Sequence, residues 1–424
     1  MLAPLEIINV DLGTDPLRLP DGNRGADKYV VFWWRGVALG HCRVDTARVS
    51  SSAADVALLA LQTVEPALQA HCAEYGVAAP SPDSAHAGLP ASERLVRWRA
   101  LLQELEQPWS RHSTGCSVSV IICTRDRPEQ LEVCLESLGE LSERPSEIVV
   151  VDNAPSTDRT RRLVAGVENV HYVLEPRPGL DIARNTGIRE STGEIIAYVD
   201  DDVSVHPDWI HGLLRGFRDP AVMALTGLVL ASELTTKSQL LFEQYWSFNR
   251  GYESLVYGGE YFAKYKHFGV PTWRIGAGAN MAFRRSVFAG VGQFDERLDV
   301  GAAGCSGDSE LWYRVLAEGW KCRYEPTAIV HHRHRSTMDG LRRQLFHYMR
   351  GHVAALLVRF ERYGHWGNVI HVALLAPYYV SLVLFGWKRG RGRYSTLWQE
   401  ITGCAQGVKF YMQNREKKQG PRRF

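Results

Sequence analysis

At 424 residues the chain exceeds one typical domain, with material for a large core and appended pieces. Lys plus Arg number 49 against 47 Asp plus Glu, a formal net charge of +2, so no global field marks a nucleic-acid partner and ligands must be read from local sites. The eight cysteines are scattered singly without metal-ligand spacing, and the amino terminus has no basic stretch leading into a long apolar run, which points to a reducing, cytoplasmic setting.

Residues 5–10 and 29–34 read as strands, the second turning through Arg35 and Gly36 into a third strand over 37–44, a small β-rich unit. A helix over 52–75 follows, with Pro66 as an expected kink. The Pro/Ser/Ala-rich stretch 77–92 reads as a linker, and Leu95, Trp98, Leu102 and Leu105 mark a short amphipathic helix. These pieces make an expected accessory domain over 1–112.

From residue 117 strands and helices alternate. An unbroken apolar strand over 118–123 precedes Asp126 and Pro128, an expected helix N-cap and early helix proline, with Leu131, Leu135 and Leu138 as an apolar stripe. Strands over 148–151, 170–174 and 194–199 are separated by helices over 157–164 and 181–190. Strands apolar on both faces predict an α/β fold whose parallel sheet is covered by helices on both sides. Ligands of such sheets bind beyond the carboxyl ends of the strands.

Those ends carry polar groups. The first strand runs into Thr124, Arg125 and Asp126, the second into Asp152 and Asn153, groups suited to a base and ribose. Taken singly they are equally cap and turn residues. The third strand runs directly into Asp200, Asp201 and Asp202. Adjacent carboxylates at a buried strand end raise one another's pKa unless a cation compensates, and a hard divalent ion is the natural compensator, one that also neutralises a pyrophosphate leaving group. A solvated acidic turn is the plainer alternative.

With Pro178-Gly179-Leu180 and Ala183-Arg184-Asn185-Thr186-Gly187 between them, these motifs in this order resemble the family 2 glycosyltransferases of GT-A fold, over about 118–335. The resemblance implies a Rossmann-like, mostly parallel sheet in a catalytic domain over 113–345. It implies a nucleotide-sugar donor held by Thr124, Arg125, Asp126, Asp152, Asn153, Arg184, Asp200 and Asp201, with Asp200 and Asp202 facing Mg²⁺ or Mn²⁺. Gly276-Ala-Gly-Ala-Asn280 would lie beside the donor sugar and pyrophosphate. Family members carry a Glu-Asp pair where this chain has Gly307 and Asp308, so only Asp308 receives the role of general base. Glu310 is read as structural. Some members complete the metal site with a histidine after a late strand; His332 fits that place best, with His331 and His334 as alternatives, and a basic phosphate-binding turn as the plainer reading.

A helical region over 346–424 contains the apolar stretch 369–387, interrupted by Pro377 and followed by Lys388, Arg389 and Arg391, which fits either an interfacial membrane anchor or a buried helix. The processive synthases of the family have several spanning helices and a Gln-x-x-Arg-Trp motif, neither seen here. The expectation is therefore inverting transfer of a single sugar to a glycan or lipid-linked hydroxyl in cell-surface polysaccharide biosynthesis. It places the enzyme in the cytoplasm, at the inner face of the membrane where it makes peripheral contact, with no nucleic-acid partner. A non-catalytic nucleotide-sugar-binding protein at the membrane is the competing class. A sugar nucleotidyltransferase would favour an N-terminal Gly-rich phosphate loop followed by Lys, absent from this sequence.

Overall fold

The computed structural model describes residues 4–19, 27–45, 52–79, 89–110, 115–385 and 394–415. Part of the expected linker (80–88), Trp387 and the basic flank Lys388, Arg389 and Arg391 lie outside the described residues.

The first strands are β1 (Glu6–Asp11), β2 (Lys28–Trp34) and β3 (Val37–Val44). β1 runs parallel to β2, and β2 and β3 form an antiparallel hairpin. Its two turn residues, Arg35 and Gly36, both have positive φ (41° and 86°), the twist a tight hairpin requires. Helix α1 (Ala53–Tyr75) starts at Ser52, whose hydroxyl accepts from the Asp55 amide, and runs through Pro66. Helix α2 (Ala91–Ser110) buries Leu95, Trp98, Leu102 and Leu105 in one core with α1 and the small sheet.

The large sheet begins with β4 (Val118–Thr124), α3 (Pro128–Gly139), β5 (Glu147–Asn153), α4 (Arg159–Val164), β6 (Val170–Glu175), α5 (Leu180–Glu190) and β7 (Ile195–Asp200). It continues through β8 (Val203–Val205), α6 (Trp209–Gly216), β9 (Val222–Ala231), α7 (Lys237–Trp246), β10 (Leu255–Tyr257), α8 (Gly259–Tyr265), β11 (Asn280–Arg284), α9 (Val287–Val291), α10 (Gly307–Ala317) and β12 (Lys321–His332). The order is β10-β12-β9-β11-β7-β4-β5-β6, with β8 beside β12. The half read from the motifs, β7-β4-β5-β6, is wholly parallel. The other half is mixed: β11 runs antiparallel to both β7 and β9, while β9 and β12 are parallel. Two apolar cores, one on each face, enclose the sheet, which is why its central strands read as unbroken apolar runs.

Register brings the site together. Thr124 is level with Asp152, and Cys123 with Asp200, so three motif-bearing strands end side by side. Because β11 is antiparallel, its first residue, Asn280, lies against Val199 and delivers the preceding glycine loop to that same edge. The last residue of β12, His332, pairs with Val203 just past the aspartate triplet.

The chain ends in α11 (Met338–Tyr363), α12 (Gly367–Phe385) and α13 (Leu397–Asn414). α12 is the one helix among the described residues long and apolar enough to cross a membrane, and only 17 % of its apolar window is buried. Its far end leaves Val380, Val383, Leu384 and Phe385 exposed.

Candidate active site

The aspartate triplet is divided among three environments. Asp201 points into the protein, where its carboxylate accepts from the Thr124 hydroxyl at 2.8 Å and from Arg127 at 3.0 Å. Asp202 faces Nε2 of His332 at 3.3 Å, with Arg127 and Arg335 at 3.5 and 3.7 Å. Burial would raise its pKa, but the hydrogen bond and charge of His332, then Arg335 and Arg127, hold it well below the usual carboxylate range. Asp200 has no side-chain hydrogen bond or ion pair among the described residues. Burial first, then the charge of Asp202, pushes its carboxyl up to about 6, against the opposing pull of Arg184 and His332.

One ligand atom from each of Asp200, Asp202 and His332 lies within 4.8 Å of the others. Two carboxylates and an imidazole suit a divalent cation such as Mg²⁺ or Mn²⁺, and Asp200 is the acid without a counter-charge beside it. Strand alternation singles out His332 within its cluster: His331 points to the opposite face and stacks on Trp33 at 6.3 Å, and burial pushes its pKa down to about 4.

A second charged group lies behind the glycine loop. The buried Arg184 donates to Asp181 at 2.9 Å and to Asp299 at 2.8 Å. Another nitrogen of that guanidinium faces Gly278, where a Cβ would lie 3.2 Å from it and 2.8 Å from Oδ2 of Asp308. Glycine at 278 therefore permits the loop to close over both groups. Asp308 opens α10, its Oδ1 accepting from the Ser309 amide at 2.6 Å. Burial first, then the charge of Asp299, raises its pKa, and Arg184 partly offsets this. The preceding Ser306 holds φ at 78°, an uncommon conformation for a residue with a side chain. Electrostatically Arg184 is within reach of both Asp200 and Asp308 and so joins the two clusters.

The same packing accounts for Gly307. A Cβ there would meet Oδ2 of Asp181 at 2.0 Å, so the Asp181 carboxylate fills the space a side chain at 307 would need. That oxygen is buried without a hydrogen-bond partner.

Residues 119–292 match the family model described as glycosyl transferase family 2. This segment is a family 2 glycosyltransferase domain. Over 285 residues, 66 % of this chain and 55 % of the relative, the sequence is 27 % identical to a pre-mycofactocin glycosyltransferase of Mycobacterium tuberculosis. It is 30 % identical over 189 residues, 42 % of this chain, to a glucosyl-dolichyl phosphate glucuronosyltransferase of Haloferax volcanii, covering 56 % of that protein. The chain thus spans a little over half the length of these relatives. Among solved structures, a Pyrobaculum calidifontis mannosyltransferase in complex with GDP-Man and Mn²⁺ aligns with a TM-score of 0.46 at 17 % identity, covering 82 % of this chain and 99 % of its own.

Among the motif residues, Asp126 departs from the sequence expectation. Asp126 is not the N-cap of α3; that position is Arg127, which makes no side-chain cap. Asp126 instead has φ of 54° and accepts from the amide and hydroxyl of Ser156, both at 2.8 Å, clipping the β4 loop to the β5 loop. Both functions of the Asn153 amide are engaged by the neighbouring turn, at the Arg177 carbonyl (2.7 Å) and the Gly179 amide (2.8 Å). Asp152 is fully buried; Oδ2 accepts from Tyr172 at 3.0 Å, while Oδ1 has no partner. Arg125 stands about half exposed beside Asp126. Glu310 is structural, in a fully buried ion pair with Arg314 at 2.7 Å. The sequence reading missed Arg127, Asp181, Asp299 and Arg335. Arg127, Asp181 and Arg335 sit inside or beside motifs already singled out; for Asp299 no local signal existed.

Proposed function

We propose that this chain transfers a single sugar from a nucleotide-sugar donor to a hydroxyl of a glycan or lipid-linked acceptor, by one direct displacement that inverts the anomeric carbon. Two groups linked through Arg184 carry the reading: the Asp200, Asp202 and His332 cluster, and the partly buried acid Asp308 behind Gly278.

Asp152 suits the donor end, because Oδ1 is a buried acceptor left for a hydroxyl or base N–H. Arg125, Thr124, Asp126, Asn153 and Asp201 shape that pocket: Arg125 from its rim, the others through the hydrogen bonds that fix its loops. Asp200, Asp202 and His332 would hold a divalent cation, whose chemistry is to neutralise the pyrophosphate of the leaving group. Arg184 adds fixed positive charge between that group and the base. Asp308 takes the acceptor proton at Oδ2, since Oδ1 is held by the Ser309 amide. The bond from the anomeric carbon to the donor phosphate breaks as the bond to the acceptor oxygen forms, and the nucleoside diphosphate departs with the electron pair.

The acceptor class draws support from the carboxy-terminal helices. α11, α12 and α13 enclose a groove of about 470 Å³ lined by apolar side chains such as Val353, Leu375, Val380 and Ile401. Together with the exposed end of α12, it suits a lipid chain or the surface of a membrane. A peripheral site at the inner face of the cell membrane and a role in cell-surface polysaccharide biosynthesis follow as parts of the same proposal. So do the divisions at 112 and 345.

Incubation with a panel of nucleotide sugars and free or lipid-linked glycans, read by mass spectrometry of the product and NMR of its new anomeric centre, tests this. A product one sugar heavier with inverted configuration is expected. Retained configuration, or donor binding without any turnover, would sink the assignment.

A further inference from the structure

A line of hydrogen bonds runs from the aspartate triplet back to the amino-terminal sheet. Nε2 of His332 faces Asp202, and its Nδ1 lies 3.0 Å from Nδ1 of His334. Nε2 of His334 lies 3.2 Å from Oε2 of Glu243, near the end of α7. The other oxygen of Glu243 accepts from Ser247 at 3.0 Å and from the Tyr29 hydroxyl of β2 at 3.3 Å. Phe242 and Phe248 wall in the two imidazoles, with ring centroids 4.6 Å from His334 and 5.3 Å from His332.

Once a cation is bound, the hydrogens along this line are fixed from both ends. A ring nitrogen that binds a cation cannot carry hydrogen, so a His332 that binds through Nε2 carries its hydrogen on Nδ1. Two ring nitrogens facing each other bond only when one donates and the other accepts. Nδ1 of His334 must then be the bare acceptor, with its own hydrogen on Nε2. A carboxylate, which only accepts, is the right group to meet it there. A hydrophobic residue in place of Glu243 would leave a buried N–H unmatched and free His334 to adopt the other tautomer, turning the Nδ1 contact into a clash of two N–H groups.

We infer that Glu243, steadied by Tyr29 of the amino-terminal sheet, is a positioning residue that sets the tautomer of His332 through His334 and aims its Nε2 lone pair at the space shared with Asp200 and Asp202. This rests on the reading of those three residues as a cation site. It gives the amino-terminal sheet a part in the site although none of its side chains is placed there. Outer carboxylates of this kind orient metal-binding histidines, and their loss weakens metal affinity by about 10- to 100-fold.

Manganese titration of the full chain, followed by electron paramagnetic resonance of the free ion, tests it with no turnover involved. Glu243→Met should weaken manganese binding by about 10- to 100-fold. Glu243→Gln, which keeps an acceptor oxygen, should restore most of it, and Tyr29→Phe should weaken it to a smaller degree. With magnesium bound, long-range ¹H–¹⁵N spectra of histidine-labelled protein should place the His332 hydrogen on Nδ1 in the native chain and show a tautomer mixture in Glu243→Met. Asp202→Asn separates the two levels of the argument. Loss of manganese in Asp202→Asn with native affinity in Glu243→Met overturns the positioning role alone. A native chain that takes up no manganese overturns the cation site with it. Should Glu243→Met fail to fold, Tyr29→Phe decides, because it removes a single oxygen; unchanged affinity and an unchanged His332 tautomer would then overturn the inference.

Discussion

The two charged clusters at the sheet edge solve opposite problems. Around Asp200, Asp202 and His332 the protein leaves one carboxylate without an ion-pair partner of its own, and the repulsion between Asp200 and Asp202 is only partly offset by the charges around them. Around Asp308 the protein supplies its own cation: Arg184 is shared by Asp181 and Asp299, and Asp308 is left as a partly buried acid with a raised proton affinity. On the proposed reading, the first group receives charge from a ligand and the second receives a proton. Each cluster should therefore respond to its own perturbation.

Removing the proton acceptor gives the largest expected effect. Asp308→Asn keeps the shape and the Ser309 contact, so kcat should fall by about 10²- to 10⁴-fold while affinity for donor and cation stays near native. Equal losses of donor binding and turnover would mean that the two clusters are not separate in function.

A smaller, graded effect comes from pH. The raised Asp308 carboxyl must be ionised to act as a base, so kcat/KM should rise with pH through a limb above the reference value of 3.8. Stability should move the other way. The native state holds this proton more tightly than the unfolded chain, so the contribution is fully present below the unfolded pKa and is lost as pH rises through the folded one. Urea titrations across that window should show stability falling as activity climbs, with a flatter slope for Asp308→Asn. A parallel rise of both would contradict the assignment.

The smallest effect should come from Gly307→Ala, which drives a methyl group toward Asp181. A destabilisation of about 1–3 kcal/mol is expected from overpacking, read by chemical denaturation, with a kcat change well below that of Asp308→Asn. A neutral outcome would show that the Asp181 carboxylate can move aside and that the Arg184 cluster is softer than its burial suggests.

Much of this architecture was legible because it is local. The parallel half of the sheet announced itself through apolar runs ending in polar residues, and Ser52, Pro128 and the Arg35-Gly36 turn marked element ends by their own chemistry. The mixed half was harder, since a strand's direction depends on where its neighbours lie. Asp126 was misread for a related reason: before a proline-led helix an aspartate is most often a cap, and the competing partner, Ser156, is thirty residues away. His332 could be proposed from its cluster, but only the alternation along β12 separates it from His331. Glu243 and Asp299 had no signal at all, because each acquires its role from a partner nearly one hundred residues distant or more.

The docking of the small sheet also bears on how the protein is made. Tyr29 meets Glu243, Trp33 stacks on His206 and His331, and Leu5 bridges to Leu234, contacts between residues that leave the ribosome far apart in time. The aromatic face of the hairpin is complete after the first fifty residues or so, yet its resting place is finished only when β12 has been synthesised. Throughout that interval the nascent chain carries an open aromatic surface, the kind that invites chaperone capture or self-association. The strand end that brings His332 to the aspartates is the same one that closes this surface, so the chain should gain protection from aggregation and the capacity to gather its three-residue cluster in a single late event.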